Sequence, residues 1–172
     1  LYGSYRASLT DTVVNLFAST DIRLKLIDVR TRHPRKFDGI PTSQVVNNIP
    51  VFRVSEMYLI QAEAYAHQGN IGKAQEALLY TAKRNTAIET VGDLPATTQE
   101  TLAFIVEERR REFFEEGFRW FDVRRTGELI SVANGSYPDF DVAAFVYPIP
   151  ASEINSGFGV TQNPGWENTL PK

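Results

Sequence analysis

The chain has 172 residues, 42% of them hydrophobic and 12% aromatic, and its 18 Lys and Arg against 21 Asp and Glu leave a net charge of −3. That is the balance of a globular chain able to bury one core, and it argues against affinity drawn from nucleic-acid phosphates. No cysteine is present, which excludes disulfides, thiolate chemistry and Cys-ligated zinc; His33 and His67 alone leave no material for a multi-His metal centre or a His-based triad.

Residues 1–20 are mildly amphipathic and low in charge, as a short helix or an extended lead-in would be. Between Asp21 and Lys36 the chain gathers Arg23, Lys25, Arg30, Arg32, Arg35 and Lys36 against Asp21 and Asp28. His33-Pro34 disfavours helix there, so a basic loop is expected, solvated or ion-paired. Ile40–Pro50 reads as a polar connector.

From Val54 to His67 the pattern turns helical, with Val54, Met57, Tyr58 and Tyr65 on one face, Gln61 and Ala64 filling it, and Ser55 as the expected N-cap. Gly69-Asn70 closes this helix. A second helix rich in Ala and Leu is expected over 71–87, so that the two form an antiparallel hairpin. Tyr58, Ala62, Tyr65, Ala74 and Leu78 match the spacing of a tetratricopeptide hairpin, with Gln61 and Thr81 as departures. A third, long helix begins after a cap at Thr97 or Thr98 and runs to Gly117. A short helix follows to Gly127, then a loop at 134–141, an extended stretch at 143–150 and a turn-rich, non-helical tail. The fold class is therefore mostly α: a tetratricopeptide-like helical hairpin plus a long helix, with irregular loops and a single domain over 1–172. No run of about 20 apolar residues is present to span a membrane.

The stretch 107–127 is the densest in charge. At about 100° per residue, Leu102, Ile105, Val106 and Phe113 form one stripe with Arg109 in its middle. A guanidinium there needs a carboxylate or carbonyls, since an unpaired buried charge is costly. A structural ion-pair network of Glu56, Glu63, Arg109, Glu112 and Asp122 is expected, in which Glu56, Glu63 or Asp122 reaches Arg109. Glu115 and Glu116 are adjacent and do not face each other on a helix, which argues against a paired-carboxylate glycosidase. No catalytic residue, metal ligand or cofactor is assigned; Asp139 and Asp141 alone are a weak calcium signal. Trp120 and Phe121 are expected to plug the core. Trp166 is expected to clip the tail back onto the helices, and His67 to cap a helix end or face solvent. Tyr137 and Phe140, in a polar loop, are the candidates for exposed glycan-stacking rings.

Four blocks, in order, carry a family likeness: DIRLKL at 21–26, FRVSEMYLIQAEAYAHQGN at 52–70, the charged stretch at 107–127, and YPIPASEIN at 147–155 followed by QNPGW at 162–166. Together they resemble the C-terminal region of the SusD/RagB family, nutrient-binding lipoproteins of the Bacteroidetes outer membrane. The resemblance implies a cell-surface protein that binds oligosaccharide or peptide nutrient and delivers it to a TonB-dependent transporter of the SusC type, with no catalysis. It also implies that further helices and a lipid-bearing cysteine lie before Leu1, so the membrane is met only through an anchor outside this chain. The alternative is a helical-repeat scaffold that binds a protein or peptide partner.

Overall fold

A computed structural model describes residues 8–36, 50–126 and 147–163. The chain falls into two compact units, Leu1–Arg119 and Trp120–Lys172. Tyr137, Phe140, Asp139, Asp141 and Trp166 lie outside the described residues.

In the first unit, α1 (Asp11–Val14) leads into a 3₁₀ turn at Ile22–Leu26. A two-residue antiparallel ladder follows, β1 (Ile27–Asp28) pairing with β2 (His33–Pro34). The basic segment therefore makes a small hairpin, with Arg32 at φ 55° in its turn and the Asp28 carboxylate accepting from Thr31 N at 3.1 Å. Phe17, Ile27 and Phe114 form a small buried cluster, in which the rings of Phe17 and Phe114 meet edge to face at 5.5 Å.

The main core is built by α2 (Val54–His67), α3 (Ile71–Ala82) and α4 (Thr98–Glu112), which pack against one another in all three pairings. Gly69 takes φ 74° between α2 and α3, a conformation open to glycine at little cost, and Asn70 caps α3 through Lys73 N. Thr97 caps α4: its hydroxyl accepts from Glu100 N and lies 2.7 Å from the Glu100 carboxylate. Leu59, Ala62, Ala74, Leu78, Thr81 and Ile105 are fully buried.

Four expectations are corrected by these helices. The buried face of α2 is Ser55, Leu59, Ala62, Glu63 and Ala66, whereas Val54 and Met57 are exposed. Ser55 is accordingly inside the helix, and the N-cap position is Arg53, with no side-chain cap. α3 stops at Ala82, short of 87, because residues 84–86 turn away to pair with 20–22: Ile22 N donates to Arg84 O at 2.9 Å and Thr86 N to Thr20 O at 3.0 Å. α4 ends at Glu112 rather than Gly117, since Phe113 and Phe114 turn inward and Gly117 sits at φ 79°. From Gly117 the chain runs into α5 (Phe118–Arg125), whose later residues begin the second unit.

In the second unit, Asp122 and Thr126 are buried one turn apart, and the Thr126 hydroxyl donates to Asp122 O at 2.7 Å. That inward row leaves Trp120 44% and Phe121 67% exposed, so neither plugs the core. α6 (Ala151–Ile154) is a single helical turn following Pro150. Gln162 brackets the segment before it, accepting from Ile149 N at 2.7 Å and donating to Ile149 O at 3.0 Å, while Asn163 Nδ2 donates to Tyr147 O at 2.7 Å.

Candidate functional site

The C-terminal half of α4 presents Glu108 and Glu112 one turn apart on the side facing the 3₁₀ turn at 22–26. Arg23 reaches both. Its Nη1 donates to Glu108 Oε1 at 2.8 Å and Glu112 Oε2 at 3.1 Å, and its Nε and Nη2 hold Asp21 at 2.9 and 2.7 Å. All four side chains are at least nine-tenths buried. The local sequence explains the fork. Asp21 caps the 3₁₀ turn through Arg23 N at 2.9 Å, so one carboxylate both starts the turn and orients the guanidinium two residues on.

Glu112 is the hub. Besides Arg23, it receives Arg53 Nη2 at 2.6 Å and Arg84 Nε at 2.8 Å, from the entrance of α2 and the exit of α3. Its own backbone carbonyl accepts from Lys36 Nζ at 2.8 Å and Arg53 Nη1 at 3.1 Å; Lys36 also takes Phe114 O at 3.0 Å. These two cations satisfy carbonyls that a helix C-terminus leaves open, and their charge suits the negative end of the helix dipole. Glu116 receives Lys36 at 2.5 Å and pairs with Arg53, and Arg111 Nε closes on Glu108 Oε2 at 2.9 Å.

The electrostatics follow from burial and pairing together. For Glu112, burial opposes ionisation; the hydrogen bond from Arg84 and the charges of Arg84, Arg53 and Arg23 override it and hold the carboxyl down at about 2. Asp21 is likewise held below its ordinary value, burial being outweighed by the Arg23 hydrogen bonds and charge. Arg23 is raised despite its burial by hydrogen bonds to Asp21 and Glu108, and Arg84 is raised by its hydrogen bond to Glu112. Lys36 goes the other way: burial lowers it, and Glu116 only partly offsets that.

Chemically, this is a lattice of locked charges. Each of Asp21, Glu108 and Glu112 accepts from a guanidinium, which does not give up its proton in proteins. Asp21 and Glu112, whose carboxyls are held below their ordinary values, are not poised as general acids near neutral pH. Two hollows flank it: a shallow one of about 510 Å³, with Ser19, Thr20, Ile22, Lys25 and Thr86 in its wall, and one of about 110 Å³ beside Phe104, Glu108 and Arg111. The threonine hydroxyls of the first are already engaged, Thr20 Oγ1 with Asn85 Oδ1 at 2.5 Å and Thr86 Oγ1 with Thr20 O at 3.0 Å. Among the described residues, no group of three or more His, Cys, Asp or Glu could hold a metal ion, and no helix is long and apolar enough to cross a membrane.

Of the residues singled out from sequence, Glu112 sits at the centre of the lattice. Arg109 is buried, its guanidinium 5.2 Å from the centre of the Phe113 ring. Glu63 lies on the buried face of α2, 3.9 Å from exposed His67. Glu56 is half-buried and makes no ion pair among the described residues, and Asp122 belongs to the second unit, where Arg125 Nη2 donates to it at 2.9 Å. Sequence reasoning did not single out Arg23, Lys36, Arg53 and Arg84 as partners.

The model of the SusD family matches residues 31–138. The starch-binding protein SusD of Bacteroides thetaiotaomicron is 34% identical over 141 residues, covering 76% of this chain and 24% of that protein. The SusD-like protein P38 of Formosa agariphila is 33% identical over 91 residues, 49% of this chain and 18% of that protein. The chain thus spans about a quarter or less of the length of these curated relatives. No solved structure gives a significant match.

Proposed function

The chain belongs to the SusD family, and we propose that it serves nutrient capture at the outer-membrane surface, binding an oligosaccharide and passing it to a TonB-dependent transporter of the SusC type. No chemical step is involved. The observation that carries this reading is the 34% identity over 141 residues with a protein whose name states starch binding. The lattice supports it from the other side, because its carboxylates are spent on arginines and the fold rests on them. Tyr137 and Phe140 are proposed as stacking rings within this activity.

The test is calorimetry of the full chain against maltoheptaose, cellohexaose and xylohexaose. Saturable binding of at least one, with no new reducing ends after prolonged incubation, is the expected result. Release of reducing ends would establish an enzyme instead. A second reading, a scaffold for a protein partner, is favoured by one observation: Val54, Met57 and Ile60 stand exposed on α2 beside Val51 and Phe52. Indifference to all three glycans, with capture of a protein lost when Met57→Glu and Ile60→Glu are introduced, would favour it.

A further inference from the structure

We propose that Tyr58 and Tyr80 are a site of oxidative modification, at which a one-electron oxidant couples the two rings into a dityrosine and ties α2 covalently to α3. The Gly69-Asn70 turn folds the helices antiparallel and brings the second turn of α2 opposite the last turn of α3. There the two rings stack face to face, with centroids 4.1 Å apart and planes 12° from parallel. Among the described residues no other pair of tyrosines meets ring to ring: Tyr65 lies against Lys73, and Tyr147 against Trp120. The stack is held in place. Leu59, Leu78 and Thr81, its neighbours along the helices, are fully buried, and Arg84, fixed to Glu112, lies 5.9 Å from the centre of the Tyr80 ring.

The arrangement is the one that radical coupling needs. Taking an electron and the hydroxyl proton from a tyrosine leaves a phenoxyl radical, its unpaired electron spread over the oxygen and the ring carbons ortho and para to it. The lobes of that electron point out of the ring plane, so a new bond forms between ring faces, and a parallel stack presents face to face. Two equivalents of the oxidant, of the peroxide-derived radical or high-valent metal-complex class, each take one electron, and one proton from each phenol goes to water. The two radicals then pair in a carbon–carbon bond between ortho positions. The hydrogens on the joined carbons pass to the oxygens by way of water, restoring both aromatic rings and both phenols. The product is short of two hydrogen atoms and of nothing else. Both residues are half-buried, and neither hydroxyl has a hydrogen-bond partner among the described residues, so the protons have a way out. Directly bonded rings have centroids separated by one bond and two ring radii, close to the separation already present. The rings need to turn and not to travel, and the coupling is unimolecular between groups already in contact.

The experiment exposes the dilute full chain to photo-oxidised tris(bipyridine)ruthenium, a one-electron oxidant, under conditions in which free tyrosine couples. The monomer recovered by gel filtration is expected to carry dityrosine emission. After trypsin it should yield a linked pair of peptides, Val54–Lys73 with Ala74–Lys83, lighter than their sum by two hydrogens. Fragmentation should place the link at Tyr58 and not at Tyr65. Met57 in the same peptide is half exposed; its oxidation adds oxygen, and the mass separates it. Tyr58→Phe and Tyr80→Phe keep the rings and remove the phenols, and each is expected to cut the yield of linked peptide about tenfold or more, while Tyr65→Phe and Tyr147→Phe stay within about twofold. No linked peptide in the oxidised parent, a link at Tyr65, or a yield that survives Tyr58→Phe or Tyr80→Phe within about twofold overturns the site.

Discussion

Replacing Glu112 with alanine is expected to destabilise the first unit by about 3 kcal/mol, read from urea unfolding as a lower midpoint at unchanged slope. The carboxylate is shared by Arg23, Arg53 and Arg84, so its removal takes an acceptor from three guanidiniums at once, although Arg23 keeps Asp21 and Glu108 and Arg53 keeps Glu116. Arg53 and Arg84 are about a quarter exposed and regain some water, which keeps the cost at the lower end of the range for a broken buried pair. The same magnitude follows from acid. Glu112 titrates at about 2 in the folded protein against 4.5 ordinarily. Between those values the unfolded chain binds a proton that the folded one does not, so stability falls as pH drops. This contribution is fully present above about pH 4.5 and gone below about pH 2, and it amounts to about 3 kcal/mol. The Glu112→Ala protein should therefore show a visibly flatter loss of stability between pH 5 and 2 (roughly the interval bounded by the two pKa values). Equal slopes in parent and variant would show that Glu112 is not the hub.

Arg23→Met is expected to cost about 3–5 kcal/mol, the larger of the two effects. Glu108 keeps Arg111 and Glu112 keeps Arg53 and Arg84, but Asp21 has its strong hydrogen bonds from Arg23 alone among the contacts described above. The stranded charge is thus Asp21, 3% exposed. Adding Asp21→Asn to Arg23→Met should recover part of the loss, because a neutral amide is cheaper to bury than an unpaired carboxylate and can still cap the 3₁₀ turn. A double variant less stable than the single one would place the cost elsewhere.

How much of this was legible depended on the range over which each feature is encoded. α2 matches the expected bounds, and the turn at Gly69-Asn70 and the cap at Thr97 announce themselves, because caps and helical period are local. The stripe of Leu102, Ile105, Val106 and Phe113 is buried as its spacing implies. The errors share one cause. Ser55 and Glu63 face the core against their hydropathy because helix packing outweighs it there. Trp120 and Phe121 face out because Asp122 and Thr126 occupy the inward row of α5. In the ion-pair lattice, Glu112 stood out on its helix, but its arginines come from three segments with no periodic relation to it. Nothing local tells Arg23 from Lys25, or Arg84 from Lys83.

That same non-locality gives the lattice a place in time. Arg23 is separated from Glu108 by 85 residues and from Glu112 by 89, whereas Arg84 is only 28 from Glu112. Closing the long loops costs chain entropy before any contact repays it, while α2, α3 and α4 are contiguous in sequence and can collapse together early. Arg23 therefore arrives after the helices, as a bolt shot across a door already shut. Its removal should leave the refolding rate almost untouched and speed unfolding, which stopped-flow measurements on Arg23→Met would resolve. A slowed refolding limb would instead put Arg23 in the nucleus. In the expected case the charges do little to find the fold and much to prolong its lifetime.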